Sequence, residues 1–170
     1  GSFNSLTLDD AEAIAREVQG AVAVAPSQRG SAQIVADGAN WNTRIEGVTP
    51  PYLDARDWAV ETGRFFDDRE ARQARKVAVL GATVAKELYP NADPIGQRMR
   101  ISGGQYEIIG VLESKGQSGF GQDQNDIVLA PLATVKRRVS GRQGRANTVS
   151  QISVKAESEG ALRFGAGLHG

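Results

Sequence analysis

Proton-transfer and nucleophilic chemistry draw on few residue types, and this 170-residue chain nearly lacks two of them, with one histidine, His169, and no cysteine. His169 stands one residue from the end, in a tail carrying Gly165, Gly167 and Gly170. A general base there has nothing to hold its ring. Without cysteine there is no thiol nucleophile, disulfide or Cys-based zinc site, so any metal would rest on carboxylates, which select hard cations. The densest acidic cluster is Asp123-Gln124-Asn125-Asp126. It lacks the alternating acids, central glycine and closing Glu of a calcium loop and reads as a solvated loop. Lys76-Val77-Ala78-Val79-Leu80-Gly81-Ala82-Thr83 has the strand-into-helix form of a nucleotide site. It carries neither the further glycines of the dinucleotide fingerprint nor the Lys-Ser/Thr ending of a P-loop, and reads as a packed turn. No Gly-x-Ser-x-Gly elbow occurs. The chemistry-bearing residues spell out no active site.

Two segments suit binding. Lys136, Arg137, Arg138, Arg142 and Arg145 form a basic stretch, and no acid lies between Asp126 and Glu157. Grooves for single-stranded nucleic acid add aromatic stacking platforms, and no aromatic residue lies between Phe120 and Phe164, so a solvated helix end with a basic loop is the expectation. The second segment runs from Ser114 to Asp123. A long polar loop inside a compact domain is uncommon unless it works or moves. Its glycines permit close backbone approach, its glutamines offer uncharged hydrogen-bonding groups, and Phe120 is a single apolar knob. Lys115, Gly116, Gln117, Ser118, Gly119, Phe120, Gly121, Asp123 and Asp126 are therefore the candidate partner-contact residues. No catalytic, cofactor-binding or metal-binding residue is expected.

The elements that hold these segments can be read in order. Leu, Ile, Val and Phe make up 39 of the 170 residues, above the roughly 20% below which disorder is the better reading. Twenty basic residues balance twenty acidic ones, so no long-range field gathers nucleic acid or anionic lipid. No apolar run approaches the roughly 18 residues of a membrane span. Gly1-Ser2 in place of an initiating Met reads as a cloning remnant, so natural sequence is expected on both sides.

Thr7 or Asp9 caps a helix of about ten residues ending at Gln19-Gly20. Ala21 to Ala25 is a strand closed by Pro26, with a turn over Ser27 to Gly30 and a second strand over Ala32 to Ala36, a hairpin. Asp37-Gly38 signals the next turn, before a strand in which Trp41, Thr43, Ile45 and Gly47 alternate with polar neighbours. Thr49-Pro50-Pro51-Tyr52 breaks the sheet and marks a subdomain edge. There follow short helices over Tyr52 to Trp58 and Asp67 to Arg75, a buried strand at Lys76 to Leu80, and a helix over Ala82 to Leu88. Strands over Ile95 to Ile101 and Gln105 to Leu112 flank the turn at Ser102-Gly103-Gly104. A strand at Ile127 to Ala130, a helix from Pro131-Leu132 to about Val139, and an alternating strand from Val149 to Ala156 complete the reading. The class is α+β with mixed or antiparallel sheets.

Six strings carry a resemblance: Ile45-Glu46-Gly47-Val48-Thr49-Pro50-Pro51-Tyr52, Gly63-Arg64-Phe65-Phe66, Val77-Ala78-Val79-Leu80-Gly81, Asp93-Pro94-Ile95-Gly96-Gln97, Val111-Leu112-Glu113-Ser114-Lys115-Gly116-Gln117-Ser118 and Gln122-Asp123-Gln124-Asn125-Asp126. Together, in this order from Leu6 to about Ala156, they resemble the MacB-like periplasmic core domain, the extracytoplasmic part of ABC-transporter permeases of the MacB and FtsX-like type. The resemblance implies two subdomains: a porter-like split half of helix plus hairpins, residues 1-50 with 116-170, and an inserted mixed α/β subdomain, residues 51-115. It implies a domain lying in the periplasm, inserted between the first two membrane helices of an inner-membrane permease. It implies no cofactor in the domain itself, with ATP hydrolysed at a separate cytoplasmic nucleotide-binding domain. The implied partners are the permease's transmembrane helices and ATPase, a second permease copy and a periplasmic adaptor, with no nucleic acid. Members often show two acids where Asn125-Asp126 stand, which weakens any metal role for the loop. They also continue past the equivalent of Ala161 with a helix and a strand, so the porter-like half is expected to be C-terminally truncated, with an open strand edge. Two rivals remain: a stand-alone hydrolase or transferase using Asp123 and Asp126, and a basic lipid- or nucleic-acid-binding module built on Arg137, Arg138 and Arg142.

Overall fold

A computed structural model describes residues 6–18, 20–36, 38–116, 123–139, 148–156 and 160–165. Strand β1 (Leu6–Thr7) runs straight into helix α1 (Leu8–Glu17). Thr7 Oγ1 accepts from the Asp10 amide at 3.1 Å while Asp10 Oδ2 accepts from the Thr7 amide at 2.9 Å. This reciprocal box meets two donors that the first helical turn cannot.

The next sixteen residues overturn the expected hairpin. Ala21–Ala36 is one continuous strand, β2, and no turn forms at Ser27 to Gly30. Pro26 is tolerated because it lies opposite Ile152 on a stretch paired along one side only, the neighbouring β3 (Ala39–Val48) ending at Val48 opposite Ser27. Gly30 is packed within the strand, where a Cβ would lie 3.4 Å from Ile45 and Val139 methyls. β2 and β3 do form a hairpin, with Ala36 opposite Ala39 and Gly38 at φ +80°; Asp37 lies outside the described residues.

Beyond the Pro50-Pro51 break come α2 (Tyr52–Ala55), β4 (Val60–Gly63), α3 (Asp68–Arg72), β5 (Val77–Leu80), α4 (Ala82–Leu88), β6 (Arg98–Ile101) and β7 (Gly104–Leu112). Strand β4 went unread in the sequence, since Val60-Glu61-Thr62-Gly63 offers one apolar side chain. Then follow β8 (Ile127–Pro131), α5 (Leu132–Arg138), β9 (Thr148–Val149), β10 (Gln151–Ala156) and β11 (Gly160–Gly165). The last of these is a second departure, because a stretch read as the start of a glycine-rich tail pairs antiparallel along all of β10. The class is mixed α and β as expected, and the sheet itself is mixed: β3 with β8 and β5 with β7 are parallel, while the other pairs in it are antiparallel.

The large sheet runs β11-β10-β2-β3-β8-β5-β7-β4, and β6 pairs with both β7 and β2. That double pairing closes six strands, β2, β3, β8, β5, β7 and β6, into a ring. Inside it lie Ile34, Ile45, Leu80, Met99, Ile101 and Ile108, joined by Val84 and Leu88 of α4 and Val135 of α5. Residues 51–115 supply three ring strands and their flanks supply the other three. Main-chain pairing crosses between the two parts at two short seams: Val79 and Leu80 against Leu129 and Val128, and Ile34 and Val35 against Ile101 and Arg100. A second apolar cluster lies under α2, where Tyr52, Ala55 and Trp58 cover Ala25, Val48, Val79 and Leu129. A third joins α1, through Ala11 and Ile14, to Val149, Ile152 and Val154.

Candidate functional site

The loop singled out in the sequence stands on two clamped feet. Its first foot is Lys115 and Gly116 and its second is Asp123 to Asp126, while Gln117, Ser118, Gly119, Phe120, Gly121 and Gln122 lie outside the described residues. Lys115 N donates to Asn125 Oδ1 at 2.8 Å, and Asn125 Nδ2 donates to Lys115 O at 2.9 Å. Gln124 Nε2 donates to Gly116 O at 2.8 Å. The side chain of Lys115 turns inward: its Nζ donates to Arg56 O at 2.7 Å and sits 5.1 Å from the centre of the Trp58 ring. Burial first, and the Arg56 charge second, draw its pKa below the ordinary lysine value.

The two acids of this segment are structural bonds of the second foot. Asp126 Oδ1 accepts from Trp41 Nε1 at 2.9 Å and from Thr43 Oγ1 at 2.6 Å, tying the foot to β3. Asp123 Oδ2 accepts from Thr83 Oγ1 at 2.5 Å, and Asp123 Oδ1 accepts from the Asn125 amide at 2.8 Å, tying it to the start of α4. The Thr83 bond is the main reason the Asp123 carboxyl sits below its usual range. Three of the four carboxylate oxygens, Asp126 Oδ1 and both of Asp123, thus serve as acceptors for protein donors. Gly81 completes the junction. Its amide donates to Ile127 O at 2.8 Å, and any side chain there would collide with the Asn125 carbonyl. Among the described residues no group of three or more His, Asp or Glu side chains is placed to hold a metal ion.

Beside the second foot a cleft of about 920 Å³ opens on the face of β2 and β3. Its walls include Arg29, Arg44 and Glu46 from the strands, Tyr52, Arg56 and Trp58 from α2 and the turn after it, and Asp123, Gln124, Asp126 and Ile127. Arg29 and Glu46 are directly opposed in the hairpin, with Nε 3.9 Å from Oε1, and Arg29 Nη2 donates to Gln151 Oε1 at 2.7 Å. Glu46 is buried and its Oε2 has no hydrogen-bond partner. Burial, and then the charge of Glu46, push the Tyr52 hydroxyl far above its ordinary pKa, so it remains a protonated donor. Arg44 Nη2 reaches the Asp123 carbonyl at 3.4 Å and Arg56 Nη1 the Tyr52 hydroxyl at 3.4 Å.

This cleft was missed in the sequence. Its signal was present in Arg29-x-Ser31-x-Gln33 and Asn42-x-Arg44-x-Glu46, polar residues at every second position of two strands joined by Asp37-Gly38. Reading a turn at Ser27 to Gly30 broke the alternation that aligns them. Of the basic stretch, Arg137 and Arg138 are exposed at the end of α5, where they suit the helix dipole. Arg142, Arg145 and His169 lie outside the described residues.

The family model described as MacB-like periplasmic core domain matches residues 1–162. Among curated relatives, the macrolide export ATP-binding/permease protein MacB of Rhodospirillum rubrum is 46% identical over 143 residues, 83% of this chain and 22% of that protein. Its namesake in Bdellovibrio bacteriovorus is 40% identical over 150 residues, 88% of this chain and 22% of that protein. The chain thus spans about a fifth of the length of these relatives. Among solved structures, the periplasmic region of MacB from Actinobacillus actinomycetemcomitans superposes with a TM-score of 0.75 at 20% identity, covering 92% of this chain and 67% of that one. The extracellular domain of the transporter YknZ from Gram-positive bacteria gives 0.72 at 21% identity, covering 93% and 76%. At that identity the two structures speak for the fold. Among the described residues no helix is long and apolar enough to cross a membrane.

Proposed function

Since the chain belongs to the MacB-like periplasmic core domain family, we propose that it is the periplasmic piece of an inner-membrane ABC transporter, carrying ATP-driven movement of the membrane helices outward without chemistry of its own. The observation that carries this reading is the position of the two flanks of the fold. Leu6, at the start of β1, lies opposite Val149, and Gly165, at the end of β11, lies opposite Gln151, two residues further along the same segment. A force arriving through chain on either side enters the fold at neighbouring places. From there it passes by main-chain hydrogen bonds into a closed ring, which resists shear better than an open sheet with free edges. Such a body moves as a lever and a wall. ATP is bound and hydrolysed at a separate domain, and none is needed here. The contact surface for an adaptor or a second permease copy is the loop between Gly116 and Asp123, whose feet are fixed to β3 and α4. Residues 51–115 and their flanks act as two lobes of one rigid unit.

The test uses the whole transporter polypeptide that contains this domain. Two glycines inserted after Gly20 loosen the entry to β2 while leaving the ring intact. The expected result is preserved ATP hydrolysis with lost export. Export at the parental rate would show that force does not pass through this strand. Turnover of any small molecule by the purified chain, abolished by Asp123→Asn or Asp126→Asn, would favour the hydrolase reading instead.

A further inference from the structure

The walls of the cleft carry hydrogen-bonding groups that the fold does not use. A guanidinium has five N–H donors. Among the described residues Arg44 makes one side-chain hydrogen bond, to the Asp123 carbonyl, and Arg56 makes one, to the Tyr52 hydroxyl, both long at 3.4 Å. The Arg56 guanidinium also lies 5.6 Å from the centre of the Tyr52 ring. The two cations converge on Tyr52: burial, then Glu46, raises the pKa of its hydroxyl, and Arg56 and Arg44 both work against that rise. Beside them the floor is uncharged. Ser31 is opposite Arg44 and Gln33 is opposite Asn42, and all four are exposed and line the cleft. Ser31, Gln33 and Asn42 make no side-chain hydrogen bond among the described residues.

The acids of the cleft are engaged in a way these two arginines are not. Glu46 is buried beside Arg29, while both oxygens of Asp123 and one of Asp126 accept from the fold. What faces a guest is a pair of guanidinium groups at one end and neutral donors and acceptors leading away from it. A cationic guest finds no partner at the arginines. A polyanion meets Asp123 and Asp126 on the same walls, and nucleic-acid bases find no stacking platform, since the two aromatic residues of the cleft, Tyr52 and Trp58, are both buried. A single carboxylate fits, because guanidinium groups bind it through charge-assisted, often paired hydrogen bonds. Side chains two positions apart on a strand stand about 6.6 Å from each other. An extended peptide repeats at the same distance, and serine, glutamine and asparagine side chains both donate and accept, as its main chain does. We propose that the cleft seats an extended segment of a partner protein, with an Asp or Glu side chain of that segment held by Arg44 and Arg56 and its main-chain amides bonded to Ser31, Gln33 and Asn42. This inference goes beyond the transport reading and does not depend on it.

The test selects peptides from a random displayed library against the purified 170-residue chain, then titrates a selected peptide into the labelled chain with NMR detection of the Gln33 and Asn42 side-chain amides. The selected peptides should share an acidic residue, and the peptide should shift both amides saturably. Its counterpart with the acid changed to the corresponding amide should not. Arg44→Gln and Arg56→Gln should each weaken binding at least about tenfold, the loss expected for a hydrogen bond to a charged group. Arg98→Gln, at an exposed position on β6 that does not line the cleft, should leave binding unchanged. Neither cleft arginine is buried, so both variants should melt with the parent, and if one fails to fold the other decides. A selection that yields no peptide, peptides with no shared acid, or binding indifferent to both arginine variants would overturn the proposal. Acetate that moves the two amides as far as the peptide does would overturn it as well, since the occupant would then be a small carboxylate.

Discussion

Lys115 and Asn125 exchange two hydrogen bonds, main chain to side chain in both directions, at 2.8 and 2.9 Å. The Asn125 amide imitates a neighbouring strand: its oxygen takes the Lys115 N–H and its nitrogen meets the Lys115 carbonyl. A loop whose ends are held this way presents its tip from a fixed base. Asn125→Ala should therefore cost about 1–3 kcal/mol, because two main-chain groups lose their partner in a half-buried place. Urea unfolding gives the number, and an unchanged midpoint would show that water replaces the amide without loss.

Acid should act on the same foot through Asp123. Its carboxyl is held below the ordinary value, chiefly by Thr83. A depressed pKa in the folded state adds stability that is present above the unfolded-state value and is lost as pH falls through the folded one. The loss therefore belongs to the range below about pH 4. Thr83→Val should flatten this part of the stability curve while leaving the region above pH 5 parallel to the parent. Parallel curves through the acid range would rule out the Thr83 bond as the cause.

Gly81 tests the junction between β5 and α4. Its backbone is ordinary, so the demand for glycine is one of space, with the Asn125 carbonyl where a Cβ would be. Gly81→Ala should destabilise by about 1–3 kcal/mol through overpacking. Nearby, Val79 is fully buried between β7 and β8. Val79→Asp, which buries an unpaired charge, should abolish cooperative folding. Circular dichroism melts of the two variants would separate the graded loss from the complete one, and a cooperative melt for Val79→Asp would contradict the placement of β5.

Much of this architecture was legible in short-range signals. Gly38 and Ser102-Gly103 fix their turns because the backbone there needs positive φ, which Gly38, Ser102 and Gly103 all adopt. Thr7 and Asp67 cap helices, as small polar residues do. What failed was long-range. Pro26 and Ser27 to Gly30 carry every local mark of a turn, and only pairing with β10 on one side and β3 on the other keeps the chain straight. Gly160–Gly165 has weak strand propensity and is held by β10 alone among the described residues. The cleft was invisible for the same reason. Arg29 and Glu46 are seventeen positions apart in the sequence, and they face each other only once β2 is continuous. Asp123 and Asp126 stood out in the sequence only as an acidic cluster, and their bonding to Thr83, Trp41 and Thr43 depends on β3, β8 and α4 meeting at one corner.

Ring closure is the feature on which the relay depends, and since this chain has no cysteine of its own, a disulfide can test it in a transporter whose other cysteines, if any, are replaced. Val35 and Arg100 are opposed across the seam between β2 and β6. In the whole transporter polypeptide, Val35→Cys with Arg100→Cys can be oxidised to lock that seam, and export is then measured before and after oxidation. A domain that moves as one rigid body exports equally well when locked. Export that stops on oxidation and returns on reduction would mean that the ring opens during transport, and would contradict the account.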